Sequence, residues 1–206
     1  MAAAVVTGHG GLEKLEIRRV QVPAAGPGDV LVRVKACALN NTDIWFREGA
    51  YGTIEDPGAV TGPQRRPGEF PRVPGADVAG EIVAVGEGVS PRQLGKAVVL
   101  FFFQSPGPLR EEHMAESMTI LGSDHDGGYA EYVCWPSDLC FPLPFDDFER
   151  SAALTLAGLT AWNMIERARI AQGEKVLVTG ATGGVGSLAV QIAARVFGAA
   201  VIAVAR

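Results

Sequence analysis

Basic side chains are in the minority in this sequence. Lys and Arg number 18 against 23 Asp and Glu, a net charge of −5. A basic face of domain size is therefore lacking, and nucleic acid is excluded as a partner. Long apolar runs are lacking too. Those at 97–103 and 199–205 fall far short of the roughly 18 residues a membrane helix needs. Residues 1–11 carry no basic stretch followed by a cleavable apolar segment, so no secretory leader is expected. Cysteine is scarce. Cys37, Cys134 and Cys140 form no CxxC pair and no even framework. That excludes a disulfide scaffold and fits buried thiols in a reducing, cytoplasmic compartment.

What is present is enough for a packed core. Of 206 residues, 48% are hydrophobic and 20% charged, which excludes wholesale disorder. The 26 Gly and 13 Pro point to many turns between short strands. Residues 31–35 alternate apolar and polar after the turn Gly26-Pro27-Gly28-Asp29. Residues 81–85 read as a strand closed by Gly86-Glu87-Gly88. Residues 97–103 and 130–135 are two more candidates. Irregular strands with Gly/Pro turns predict a partly open β-barrel. Segments 51–71 and 104–126 interrupt the pattern and are expected to be surface loops, with a short helix at 111–118.

The periodicity changes after Pro144, which divides the chain into 1–144 and 145–206. Residues 151–168 place Leu154, Leu159, Trp162 and Ile165 at helical spacing. Asp146, Asp147 and Glu149 precede them, where a helix dipole favours negative charge. Residues 176–178 read as a buried strand, 185–197 as a helix stopped by Gly198, and 200–204 as a second strand. This is a βαβ unit.

Between that first strand and that helix lies Thr179-Gly180-Ala181-Thr182-Gly183-Gly184-Val185-Gly186. A glycine pattern is weak alone and strong in this context. The turn must be tight, and the backbone at Gly183 and Gly184 must approach a pyrophosphate that a side chain would obstruct. Gly186 lets the helix pack closely. The helix N-terminus then offers free N–H groups and positive partial charge. The candidate cofactor residues are thus Ala181, Thr182, Gly183, Gly184, Val185 and Gly186. At the end of the second strand an acidic residue would bind a ribose 2′-hydroxyl and repel a 2′-phosphate. The sequence has Ala205-Arg206 there, which favours NADPH over NADH and adds Arg206 to the set.

Several motifs in order resemble the medium-chain dehydrogenase/reductases, and among them the quinone oxidoreductase branch. They are Gly8-His9-Gly10-Gly11-Leu12-Glu13-Lys14-Leu15, Val34-Lys35-Ala36-Cys37-Ala38-Leu39-Asn40, Pro74-Gly75-Ala76-Asp77-Val78-Ala79-Gly80-Glu81, Gly127-Gly128-Tyr129-Ala130-Glu131-Tyr132, Gly158-Leu159-Thr160-Ala161 and the Gly-rich turn. The resemblance implies a GroES-like, partly open β-barrel followed by the first part of a Rossmann dinucleotide-binding fold, with the active site in a cleft between them. It also implies where a zinc alcohol dehydrogenase would carry its metal ligands: at Asn40, Ala76 and near Leu156. None of these supplies a thiolate or imidazole. The segment 104–126 lacks the four cysteines of a structural zinc site. No zinc is expected.

Without a metal, alcohol oxidation becomes the weaker reading. Quinones and α,β-unsaturated carbonyls are already electrophilic and need mainly a positioned hydride and a donor near the developing oxyanion. By resemblance, Asn40 and Thr160 sit near the nicotinamide, Asp43 organises the adjacent loop, and Trp45 and Tyr51 wall the substrate pocket. Other readings stand beside these. Asn40 and Asp43 also suit the cap of a short helix starting near Thr42. Trp45 also suits a core position and Tyr51 a loop. Cys37 reads as a buried thiol rather than a nucleophile. His125-Asp126 reads as a solvated turn rather than an acid/base pair.

A Rossmann sheet needs several parallel strands covered on both faces, and this chain supplies about two. The sequence therefore looks cut short at its C-terminal side, with an open apolar strand edge. Three functions follow. The first is a zinc-independent NADPH-dependent reductase of quinones or enones, or the N-terminal portion of one. The second is a non-catalytic dinucleotide-binding or interaction module. The third is an alcohol dehydrogenase. The first takes a small-molecule carbonyl or quinone and allows a homodimer where the C-terminal part is present.

Overall fold

The computed structural model describes residues 1–53, 69–105 and 118–205. It divides into two compact units, Met1–Ala152 and Ala153–Arg206.

The first unit opens with an antiparallel hairpin of β1 (Ala2–Val6) and β2 (Leu15–Arg19), in register from Ala2↔Arg19 to Val6↔Leu15. β3 (Asp29–Ala38) follows the Gly28 turn, and α1 (Asn41–Glu48) follows β3 directly. Then come β4 (Asp77–Val85), β5 (Ala97–Leu100), the short pair β6 (Phe103–Gln104) and β7 (Thr119–Ile120), β8 (Tyr132–Pro136) and β9 (Cys140–Pro142). A five-stranded antiparallel sheet runs β8-β3-β4-β5-β9. The alternation of β3 decides its inner face: Val30 and Val32 are fully buried, against Ile82, Val133 and Trp135 at 1–2% exposure. Among the described residues the sheets stay open and close no barrel. β1 is tied to the rest through Ala4 N–H to the Tyr129 carbonyl, 2.8 Å, and paired bonds between Val6 and Arg72.

The run 97–103 is two strands, not one. Phe101 leaves the ladder: its N–H donates to the Leu139 carbonyl at 2.8 Å, and its carbonyl accepts the Trp135 indole N–H at 2.8 Å. β5 therefore pairs with β4 and β9, and β6 pairs with β7. Residues 111–117 of the expected helix and most of the 51–71 segment lie outside the described residues.

The apolar helical pattern of 151–168 is also interrupted. α2 (Phe148–Ala152) is begun by Asp147, whose Oδ1 accepts the Arg150 N–H at 3.0 Å. Ala152 and Phe148 pack with Ala79 and Val99 of the large sheet, so α2 belongs to the first unit. α3 (Thr155–Arg167) begins the second unit. β10 (Lys175–Thr179), α4 (Gly184–Arg195) and β11 (Ala200–Val204) complete it as a βαβ unit with parallel strands, Lys175↔Ala200 to Thr179↔Val204. Its core joins Ala161 and Ile165 of α3 to Ala189 and Ala193 of α4, with Val176, Val178 and Val201 packed against them. The small alanines let the two helices approach closely.

β10 is only half buried, which corrects the expectation of a buried strand. Val176 and Val178 face the helices, while Leu177 is 62% exposed and Ile202 of β11 is 55% exposed. The apolar run is continuous because both faces are apolar; among the described residues α3 and α4 cover one of them. Among those residues no helix is long and apolar enough to cross a membrane.

Candidate functional site

The two units carry separate constellations. In the first, the end of β3 and the start of α1 bring Asn40 and Asp43 together. Asn40 N–H donates to Asp43 Oδ2 at 2.9 Å, and Asp43 N–H donates to the Asn40 carbonyl at 3.1 Å. This reciprocal pair starts α1, as a helix-cap reading requires. Asp43 does more than cap. Its Oδ1 accepts the Gly75 N–H at 3.2 Å and its Oδ2 accepts the Tyr129 hydroxyl at 2.8 Å. Three segments distant in sequence thus converge on one carboxylate. Burial pushes that carboxyl above its usual range, against the pull of the three donors. Tyr129 is pushed up by burial and by the facing Asp43 charge.

The Asn40 side chain points elsewhere. Its Nδ2 donates to Asp77 Oδ2 at 2.8 Å. Asp77 opens β4 opposite Ala38, and it is 1% exposed. The β3–β4 register is what places this carboxylate beside Asn40. Cys37 lies below, so close to Gly75 and Gly128 that a Cβ on either would meet its sulfur at 2.8–2.9 Å. Burial, then Asp43 and Asp77, push its thiol far up, which suits an inert thiol and not a nucleophile.

Trp45 and Tyr51 form an edge-to-face pair with centroids 6.1 Å apart. Trp45 is 47% exposed, so the core reading of it fails. The Tyr51 hydroxyl is 2.9 Å from the Thr42 hydroxyl. The His125-Asp126 pair faces two ways. His125 Nε2 lies 3.0 Å from Thr119 Oγ1 and its ring edges Trp135, while Asp126 Oδ1 accepts from Val73 N–H at 2.9 Å and Arg72 Nη1 at 3.3 Å. These are structural ties of a surface turn.

In the second unit the Gly-rich turn links β10 to α4. Gly180 has φ +63°, the left-handed region, and Gly183 N–H closes on the Gly180 carbonyl at 3.0 Å. Ala181 N–H donates to the Val204 carbonyl at 3.1 Å, fixing the turn to the end of β11. A Cβ on Gly186 would collide with the Gly180 carbonyl. The close approach that Gly186 permits is therefore between the first helical turn and the loop itself. The N-terminal residue Gly183 places no side chain over the helix end. Thr182, Gly183 and Gly184 are exposed, while Val185 is partly buried against the core of α3 and α4. The N–H groups of the first turn thus carry no side-chain cap and suit an anion. Thr160 lies on α3 in the same unit, partly buried. Arg206 lies outside the described residues.

Asp77 and Tyr129 were not singled out from the sequence as site residues. Both sit inside visible motifs, but it takes the β3–β4 register for Asp77, and the loop bonded to Pro74 for Tyr129, to show which side chains they meet.

The alcohol dehydrogenase GroES-like domain model matches residues 26–145. The chain belongs to this family, within the medium-chain dehydrogenase/reductases. It is 32% identical over 199 residues to an NAD-dependent alcohol dehydrogenase of Saccharolobus solfataricus, covering 92% of this chain and 55% of that protein. It is 36% identical over 196 residues to a quinone oxidoreductase of Rattus norvegicus, covering 94% and 49%. Among solved structures, a cobalt- and zinc-bound thermostable alcohol dehydrogenase from Pyrobaculum aerophilum superposes with a TM-score of 0.86 at 35% identity, covering 100% of this chain and 60% of that one. The chain spans about half the length of the curated relatives it matches.

Proposed function

We propose that this chain binds a reduced nicotinamide dinucleotide, NADPH ahead of NADH, and serves hydride transfer to a quinone or α,β-unsaturated carbonyl without a metal. The observation that carries the reading is the turn from β10 into α4. It combines the Gly186–Gly180 approach, exposed Gly183 and Gly184, and an uncapped helix end. A pyrophosphate fits that cradle: backbone N–H groups donate and the helix dipole adds positive potential. The dinucleotide would supply the hydride. The chain's own residues would hold and orient it and set a donor near the developing oxyanion. Asn40 and Thr160 are the groups proposed at the nicotinamide, Asp43 supports Asn40, and Trp45 and Tyr51 wall the acceptor. The preference for NADPH rests on Ala205-Arg206, where no carboxylate would repel a 2′-phosphate.

The metal of the Pyrobaculum aerophilum neighbour does not fit here. The ligand positions implied by the resemblance carry the Asn40 amide, committed to Asp77, the buried methyl of Ala76, and the hydrocarbon of Leu156. Zn²⁺ sites are built from thiolate, imidazole and carboxylate. Among the described residues no cluster of three His, Cys, Asp or Glu is placed to hold an ion.

The test is fluorescence titration with NADPH and with NADH, followed by oxidation of bound NADPH on adding menadione. Saturable binding, tighter for NADPH, with menadione-dependent oxidation is expected. No saturable binding of either dinucleotide would remove the reading. Stoichiometric zinc in purified protein would overturn its metal-free part. A second reading, a binding module without turnover, is favoured by the open apolar face at Leu177 and Ile202. It predicts binding without oxidation.

A further inference from the structure

We infer that Asp77 is a positioning residue that fixes which way the Asn40 amide faces; the consequence for rate rests on the function proposed above, the orientation itself does not. The oxygen and nitrogen ends of an Asn side chain have nearly the same shape, so packing alone does not choose between them. A carboxylate accepts hydrogen bonds, so the amide nitrogen must be the end that meets it. Asp77 Oδ2 meets Asn40 Nδ2 at 2.8 Å. The carboxylate is 1% exposed and anchored at the first residue of β4 by pairing with Ala38. It cannot swing away to let the amide turn.

Asn40 is held by a second carboxylate at the same time. Its backbone N–H donates to Asp43 Oδ2 at 2.9 Å. That carboxylate is itself tied to Gly75 N–H, two residues before Asp77. The side chain is thus held directly by Asp77, and the backbone by Asp43, which Gly75 in turn holds. With one Nδ2 hydrogen given to Asp77, the amide plane is set. The second Nδ2 hydrogen then has a fixed direction in that plane, and a donor of fixed direction is what a developing oxyanion requires. Asp43 needs no help from Asp77 to start α1, so the Asp77 contact serves the side chain alone.

Asn at position 77 would both donate and accept. It would satisfy either orientation of Asn40, and the amide would be free to turn over. Two measurements test the inference. The first is the side-chain amide resonance pair of Asn40 in a nitrogen–proton correlation spectrum of the full chain. The Nδ2 proton bonded to the Asp77 carboxylate is expected downfield of the usual side-chain amide range in the parent, and shifted back toward that range in Asp77→Asn. An Asn40 pair that does not change overturns the inference, whatever the activity. The second is a double-mutant cycle with NADPH and menadione. Asn40→Ala is expected to lower kcat by about 10²–10³-fold. Asp77→Asn is expected to lower kcat roughly 10- to 100-fold, the size seen for orienting partners, with the KM for menadione little changed. In the Asn40→Ala background, Asp77→Asn should add nothing, and Asp77→Glu should restore part of the loss in the parent. Additive losses, or an effect on KM alone, overturn it. If Asp77→Asn does not fold, Asp77→Ser takes its place in both arms. If the parent oxidises no NADPH, the proposed function falls, and the resonance arm alone decides the orientation.

Discussion

The Tyr129 hydroxyl donates to Asp43 Oδ2 at 2.8 Å across 86 residues of sequence. This bond ties the loop before β8 to the first turn of α1. A hydrogen bond to a charged, partly buried acceptor contributes about 1.5–3 kcal/mol. Tyr129→Phe keeps the ring beside Gly75 and removes only the donor. We expect the variant to lose about that much stability, measured by urea unfolding at neutral pH. An unchanged midpoint would mean that the bond contributes nothing net.

The same carboxylate gives a pH dependence. Burial raises the Asp43 pKa above its ordinary 3.8, even with three donors on it. Between 3.8 and the folded-state value the native chain binds more protons than the unfolded one. The contribution is therefore fully present below the unfolded pKa and is lost as pH rises through the folded one. Relative to Asp43→Asn, the parent should lose stability as pH climbs through that window. Tyr129→Phe removes a donor that favours the anion, so it should extend the window upward. Unfolding free energies measured across the acid range check both. A difference that grows with pH instead would reverse the sign and refute the assignment.

The Gly-rich turn separates binding from folding. A Cβ at Gly186 would collide with the Gly180 carbonyl and stand 3.0 Å from Ala181 Cα. Gly186→Val should therefore cost about 1–3 kcal/mol and abolish dinucleotide binding together. A Cβ at Gly184 would make an ordinary 3.8 Å contact with Ala157. Gly184→Ala should leave stability within about 0.5 kcal/mol while weakening NADPH binding, because in the proposed complex the pyrophosphate lies against the backbone of this first turn and an added methyl would crowd it. Thermal unfolding and fluorescence titration on both variants decide this. Full affinity in Gly184→Ala would move the dinucleotide away from the turn.

How far the sequence could be read depended on range. β11 matched its expected residues 200–204, and α4 lies within one residue of its expected start, because period and glycine punctuation are local signals. β1 and β2 were not anticipated. β1 buries Ala3, Val5 and Val6 but is apolar throughout, so its sequence shows no alternation, and β2 is exposed along its whole length. Asn40 and Asp43 could be named as a pair because they are three residues apart. Asp77 could not be linked to them because the β3–β4 register brings it there, nor Tyr129, which a loop bonded to the Pro74 carbonyl places beside Asp43. The break at Phe101 was hidden because its aromatic run looks like a strand, while its backbone is claimed by Leu139 and Trp135.

The three thiols should be slow to react. Burial is the first cause in each case, pushing Cys140 up to about 12 and raising Cys37 and Cys134 as well. Little thiolate exists near pH 8, and the thiolate is the reacting form. A disulfide reagent at pH 8 should label the folded chain slowly and all three cysteines rapidly in guanidinium. Fast labelling of Cys37 in the folded chain would reopen its reading as a nucleophile.

The exposed face of β10 and β11 sets how the chain behaves in solution. Leu177 at 62% and Ile202 at 55% exposure lie side by side, paired in register, with Val204 at 45% further along. Adjacent bare aliphatic side chains on a two-stranded sheet are an association surface. The opposite faces of the same strands, Val176, Val178 and Val201, make the core with α3 and α4. Polar substitutions on the exposed face should therefore spare the fold. Leu177→Thr with Ile202→Thr keeps β-propensity while removing apolar surface. We expect the double variant to sediment at lower mass and scatter less light at equal concentration, with its thermal midpoint little changed. Self-association that persists in the double variant would place the contact on another surface, with the bare side chains of the first-unit hairpin, Leu12 at 76% and Ile17 at 79%, the next to substitute.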